Sequence, residues 1–134
     1  MEELALKKEI VLHALNTFCE ALDIMNDPKY EEIYKTTRDS SIQRFEYTIE
    51  SFWKFLKIYL QYKLGVFPKL EGSKGILREA MNAKLITNEE FEILVEGVAD
   101  RNLTSHIYKE EIAELLVGHL PQYYATMIAI IDRL

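Results

Sequence analysis

Apolar residues recur along this chain at helical spacing. From Glu2 to about Asn26, Leu4, Val11, Leu15, Phe18, Leu22 and Met25 follow at steps of seven, four, three, four and three, one stripe of a helix. Asn26-Asp27-Pro28 closes it, because the residue before a proline avoids helical geometry. A second stripe, Ile42, Phe45, Ile49, Phe52, Leu56 and Tyr59, predicts a helix from about Asp39 to Leu64, with Asp39 or Ser40 as its cap. At 1.5 Å per residue that helix is roughly 39 Å long, enough to span a bundle. Gly65 and Pro68 end it.

Shorter patterns follow. Ser73 precedes a helix carrying Ile76, Leu77, Ala80 and Met81, and Thr87-Asn88-Glu89-Glu90 has the spacing of a capping box. The helix opened by that box carries Phe91, Leu94, Val95 and Val98. A last helix, from about Lys109 to Arg133, runs through Ile112, Leu115, Leu116, Leu120, Tyr123, Met127 and Ile130. Pro121 lies inside it and should kink it, since the amide that would bond to Val117 is missing. Nothing reads as a strand, repeat or linker. The expected fold is all-α, an antiparallel up-and-down bundle of four or five helices forming a single domain over residues 1–134.

Composition agrees with this reading. The chain has 134 residues, 49% hydrophobic and 28% charged, which excludes a disordered chain and suits one domain with a real core. Its single cysteine, Cys19, excludes an internal disulfide framework or a multi-cysteine zinc site, and reads as a small core residue in a reducing cytoplasm. No apolar stretch is long enough to span a membrane, and Met1-Glu2-Glu3 lacks the layout of a signal peptide. Without secretion, the sequon Asn102-Leu103-Thr104 is coincidental.

The net charge of −6 argues against a nonspecific nucleic-acid coat, but the charge is unevenly placed. From Lys54 to Lys84 seven basic residues (Lys54, Lys57, Lys63, Lys69, Lys74, Arg78 and Lys84) stand against Glu71 and Glu79. From Leu85 to Glu114 eight acids stand against Arg101 and Lys109. A local basic surface on an acidic protein is compatible with this pattern, as are ordinary solvated helix faces.

Candidate chemistry is concentrated in one stretch. No phosphate-binding glycine loop, zinc-ligand pair or clustered carboxylate motif is present in the sequence. His13 stands alone on the first helix, and His119, one turn from Tyr123, reads as a packed or capping histidine. Phe52, Trp53 and Phe55 read as core or subunit-interface residues. What remains is Asp100-Arg101-Asn102-Leu103-Thr104-Ser105-His106-Ile107-Tyr108, which offers a permanent cation, a titratable base, an amide and a phenol within nine residues. On an unbroken helix Arg101 and His106 lie about 140° apart, so they converge only where the helix ends or distorts. Thr104 and Ser105 suit such a break. By composition alone, catalysis competes with an ordinary ion pair at a helix terminus.

This stretch resembles the Arg-x4-His-x-Tyr signature of the HEPN superfamily, here Arg101, His106 and Tyr108, with Asn102 in the polar position after the arginine. The segment Ser41 to Lys57 is similar to the second helix of the HepT-like toxin branch, first named nucleotidyltransferase substrate-binding proteins. The resemblance covers nearly the whole chain. One departure is Glu96-Gly97-Val98-Ala99, which lacks the bulky residues this branch often carries before the motif. That puts the packing behind Arg101 in question.

The resemblance implies a homodimeric endoribonuclease that needs no metal or other cofactor. Arg101 and His106 would be catalytic, and Asn102 would orient the site or contact substrate. It also implies a minimal nucleotidyltransferase antitoxin as partner, which transfers AMP to Tyr108 and so silences a toxin that cuts RNA. The alternative within the same resemblance is a non-catalytic subunit that presents substrate to the nucleotidyltransferase. Dimerisation is further expected from apolar side chains outside the core stripe of the second helix, namely Tyr47, Trp53, Phe55 and Tyr62.

Overall fold

Five helices follow one another in the computed structural model, which describes residues 2–69 and 72–134: α1 (Glu2–Met25), α2 (Tyr34–Leu64), α3 (Gly72–Asn82), α4 (Asn88–Arg101) and α5 (Glu110–Arg133). Every regular element among the described residues is helical, as the periodicity predicts. Met1, of the opening Met1-Glu2-Glu3, and Glu71, of the basic stretch, lie outside the described residues. Among those residues no helix is long and apolar enough to cross a membrane.

The long helix α2 is the axis of the bundle. It packs along α1 and also touches α3, α4 and α5. The stripes read from the sequence meet here: Phe18, Ile42, Phe45, Phe52, Leu56, Leu94, Leu116 and Met127 are all shut off from solvent. Phe45 stacks on Tyr123 of α5 with ring centroids 5.2 Å apart, and Phe18 packs obliquely on Phe45 at 6.1 Å. Truncating such a ring to alanine costs about 3–5 kcal/mol. One expectation fails at a single position: Leu115 is exposed on α5, where Ala113 joins Leu116 in the core. Phe55 is fully buried, so of the two places open to it, core and subunit interface, it takes the core and adds nothing to an apolar surface for dimerisation.

The start of α2 also differs from expectation. It begins at Tyr34, so Asp39 and Ser40 are interior residues and cap nothing. A 3-10 turn, Pro28–Ile33, which no apolar period marks, precedes it, and Asp27 opens that turn by accepting a bond from the Lys29 amide. Two features hold the extra turn of α2 in place. Thr37 and Ser41 bond their hydroxyls to the backbone carbonyls of Tyr34 and Thr37, so these weak helix formers leave no polar group unsatisfied. Arg38 is 2% exposed, and its guanidinium reaches Asp39 at 3.0 Å, Glu110 at 2.7 Å and Glu114 at 3.2 Å. Tertiary ion pairing thus outweighs the local cap signal. It also fastens the first turn of α5 to α2, immediately after the polar stretch that holds the candidate site.

The other boundaries agree. The Thr87–Glu90 capping box forms in both directions at the start of α4. Gly65 ends α2 in the left-handed conformation, with φ at 64°. Pro121 sits inside α5, which runs unbroken from Glu110 to Arg133 and is bent. At its far end Arg133 pairs with Glu90 and bonds to the Leu85 carbonyl, tying α5 to the turn between α3 and α4.

Candidate functional site

The helix break required by the sequence argument is present. Helix α4 stops at Arg101, Asn102 caps it, and a 3-10 turn over Thr104–His106 leads to α5. The Thr104 hydroxyl is the pin of this turn: it is buried between the Arg101 carbonyl oxygen, 2.8 Å away, and the carboxylate of Glu46 on α2. Arg101 is half-buried, whereas Asn102, His106 and Tyr108 are exposed, Tyr108 at 74%.

Arg101 turns towards α2. Its Nε lies 2.7 Å from Glu50 Oε1, and the other carboxylate oxygen of Glu50 accepts a 3.2 Å bond from the Trp53 indole. Among the described residues no carboxylate pairs with the two terminal guanidinium nitrogens, so that edge is available to an anion. The rings of His106 and Tyr108 meet edge to face at 6.1 Å, and the Lys109 ammonium lies 5.9 Å from the Tyr108 ring centre. The structure therefore brings His106 and Tyr108 together, while Arg101 is engaged by Glu50 and not by His106. An open groove of about 580 Å³, lined by Asp39, Gln43, Glu46, Thr104 and Ile107 among others, adjoins the turn.

Behind Arg101, the fold assembles a cluster that linear spacing does not display. Asp100, 6% exposed, accepts hydrogen bonds from Tyr123 Oη and His119 Nδ1, the latter at 2.6 Å, and Glu96 lies 3.7 Å from the same nitrogen. Burial and the Asp100 carboxylate push the Tyr123 phenol well above its usual range. Glu96, Asp100 and His119 have donor types suited to a divalent cation. The 2.6 Å gap, however, is a hydrogen-bond distance, whereas two ligands of one tetrahedral ion stand about 3.3 Å apart. The cluster as formed is a hydrogen-bonded buttress. It clamps the last turn of α4, from which Arg101 projects, onto α5.

Gly97 explains the small residues before the motif. A Cβ built there would stand 3.0 Å from Ile49 Cδ1 of α2 and 3.5 Å from the Tyr123 ring. The bare backbone lets α4 approach both neighbours, which answers the question of what packs behind Arg101. Glu46 and Glu50 carry no sequence signal for their roles: they lie one turn apart on α2, as on any solvated face. His119 is packed against Tyr123, as its spacing predicts, and its bond to Asp100 is what the tertiary structure adds.

Comparison with known proteins bears on these features. The model of the family described as nucleotidyltransferase substrate binding protein like matches residues 9–134. The chain belongs to that family. It is 36% identical to ttk003001694 from Thermus thermophilus, a protein of known crystal structure, with a TM-score of 0.81 over 92% of this chain and 97% of that one. The fold also matches a chain of a toxin-antitoxin crystallised with AMP-PNP, at 17% identity and a TM-score of 0.68 over 92% of this chain and 95% of that one. A chain of a mutant of the toxin-antitoxin MntA-HpeT matches at 18% identity and a TM-score of 0.70, over the same shares. At those identities the likeness is one of fold. No curated protein matches the chain.

Proposed function

We propose that this protein is a HEPN-type, metal-independent endoribonuclease toxin. In this reading the chain is one domain that works as a cytoplasmic homodimer, paired with a minimal nucleotidyltransferase that silences it by AMP transfer to Tyr108. The observation that carries the reading is the state of Arg101: one edge is held by Glu50, the other is free, and exposed His106 and Tyr108 stand on the short turn that follows. The family and the fold of the toxin-antitoxin chains support the setting.

The chemistry follows from the side chains. His106 removes the proton of an RNA 2′-hydroxyl as general base, through the ring nitrogen of an exposed imidazole. The oxygen attacks the adjacent phosphorus, forming the O2′–P bond and breaking the P–O5′ bond, and His106 of a second copy returns a proton to the leaving 5′-oxygen. Charge building on the non-bridging oxygens is met by the free edge of Arg101, whose planar fork suits two of them. The product carries a 2′,3′-cyclic phosphate. Asn102, exposed at the α4 cap, orients the site or contacts the substrate.

The family description supports a second reading, a non-catalytic subunit that presents substrate to a nucleotidyltransferase. RNA cleavage assayed with the purified chain separates the two. Arg101→Ala and His106→Ala should each lower the rate by about a hundredfold or more with unfolding temperature unchanged, and excess chelator should have no effect. Cleavage that survives His106→Ala, or that chelator abolishes, overturns the mechanism. Sedimentation of a strict monomer that still cuts RNA overturns the two-histidine site.

A further inference from the structure

The basic stretch that begins at Lys54 has no part in the chemistry above, yet it starts directly after Trp53, the residue that touches the arginine's partner. Trp53 donates to Glu50, Glu50 holds Arg101, and the next residues on the same face of α2 are Lys57 and Gln61. Trp53, Lys57 and Gln61 form a ridge between two open hollows. One, of about 540 Å³, continues to Phe67, Pro68 and Ile76. The other, of about 340 Å³, continues to Lys7, Lys54 and Ile58. Phe67 is 72% exposed, an aromatic ring presented to water beside a lysine. Of the carboxylates on this face, Glu50 is paired with Arg101 and also accepts from Trp53. Glu3, at the rim of the second hollow, accepts from the Tyr62 hydroxyl and keeps its charge, against the ammonium groups of Lys7, Lys54 and Lys57 in the same hollow.

We infer that this ridge is a binding track for single-stranded RNA, leading along α2 into the Arg101 site. Phe67 offers a flat apolar face on which a base stacks, and Lys54, whose ammonium lies 5.9 Å from the Trp53 ring centre, and Lys57 offer ammonium groups to phosphates. This pairing of aromatic platforms with basic side chains is how proteins grip single strands without reading sequence. From Glu50 to Gln61 the helix advances about 16 Å, room for roughly five stacked nucleotides. Gln61, with both donor and acceptor on its amide, is placed to contact a base edge. The inference rests on the ribonuclease reading for its choice of ligand, but not on cleavage itself.

The test is binding of a fluorescein-labelled 2′-O-methyl oligonucleotide, which lacks the attacking hydroxyl, followed by anisotropy across a salt series. Lys57→Ala should weaken binding several-fold and reduce the slope of log Kd against log salt by about 0.7, the signature of one lost phosphate contact on a single strand. Phe67→Ala should weaken it about tenfold with the slope unchanged, because stacking releases no counterions. Lys29→Ala, on the turn before α2, is the control and should bind as wild type does. Both changed residues are exposed, so the variants keep their fold. These shifts without cleavage of the unblocked RNA uphold the track and defeat the nuclease reading. RNA that is bound and cut, with affinity indifferent to Lys57 and Phe67, defeats the track and leaves the nuclease standing. No binding by wild type, or Phe67→Ala losing a protein partner instead, also overturns it.

Discussion

Glu50 grips Arg101 by one edge: Oε1 lies 2.7 Å from Nε, and the same carboxylate accepts the Trp53 indole proton through its other oxygen. The guanidinium is thereby oriented without being neutralised along its outer edge. Glu50 is accordingly a positioning residue for the proposed chemistry. Glu50→Ala should lower kcat for RNA cleavage by about ten- to a hundredfold with a smaller change in KM, since a misplaced charge is lost chiefly in the transition state. Glu50→Asp keeps the charge that pairs with the guanidinium and should recover part of that loss. Equal losses in both variants, or a loss confined to KM, would sink the positioning role.

Tyr108 separates toxin from substrate-presenting subunit. In AMP transfer its phenol oxygen attacks the α-phosphorus of ATP, pyrophosphate leaves, and the phenol proton goes to solvent. The ring is exposed and nothing in the cleavage scheme needs its hydroxyl. Tyr108→Phe should therefore retain cleavage while refusing AMP. Co-expressed with the partner nucleotidyltransferase, the wild-type chain should gain AMP mass and lose toxicity, and the variant should do neither. The added charge beside His106 is what would repel RNA phosphate. Equal protection of both chains with no mass change would return Tyr108 to an ordinary surface residue.

Close approach at Gly97 sets a stability test. Alanine is the better helix former by about 1 kcal/mol, but its Cβ meets a buried Ile49 methyl at 3.0 Å. The two effects nearly cancel, so Gly97→Ala should stay within about 1 kcal/mol of wild type. Gly97→Val adds two methyl groups with nowhere to go and should cost about 2–3 kcal/mol, as overpacked cores do. Urea unfolding of both variants measures the difference. A valine variant as stable as the alanine one would show that α4 does not bear on α2 there.

Acid should loosen the ends of α5. Glu110 is held below the ordinary glutamate value by Arg38, and Glu90 by Arg133 and the Thr87 cap. A carboxylate depressed on folding contributes stability that is fully present above its unfolded value and lost as pH falls through the folded one. Thermal unfolding should thus vary little from pH 7 to 5 and weaken below about pH 4.5, the ordinary glutamate value. Glu90→Gln should flatten part of that acid limb. A profile unchanged in the variant would mean that the Arg133 tie adds nothing measurable, as many exposed ion pairs do.

Helix number, the buried stripes and the break after Arg101 were legible in the chain, because each depends on neighbours within about four residues: apolar spacing, a capping box, a glycine or proline stop. The start of α2 was not. Its decisive residue, Arg38, is satisfied by Glu110 and Glu114, more than seventy positions away. Phe55 lies off the core stripe of α2 and only its burial in the bundle decides between core and interface, and Leu115 sits on the apolar period of α5 yet the rotation of that helix leaves it outside. The site divides in the same way. Arg101, Asn102, His106 and Tyr108 could be read from a single run of residues. Glu50, Trp53, Asp100, His119 and Tyr123 acquire their roles only when α2, α4 and α5 meet, since hydrogen bonds and ion pairs across helices depend on distances that no local pattern encodes.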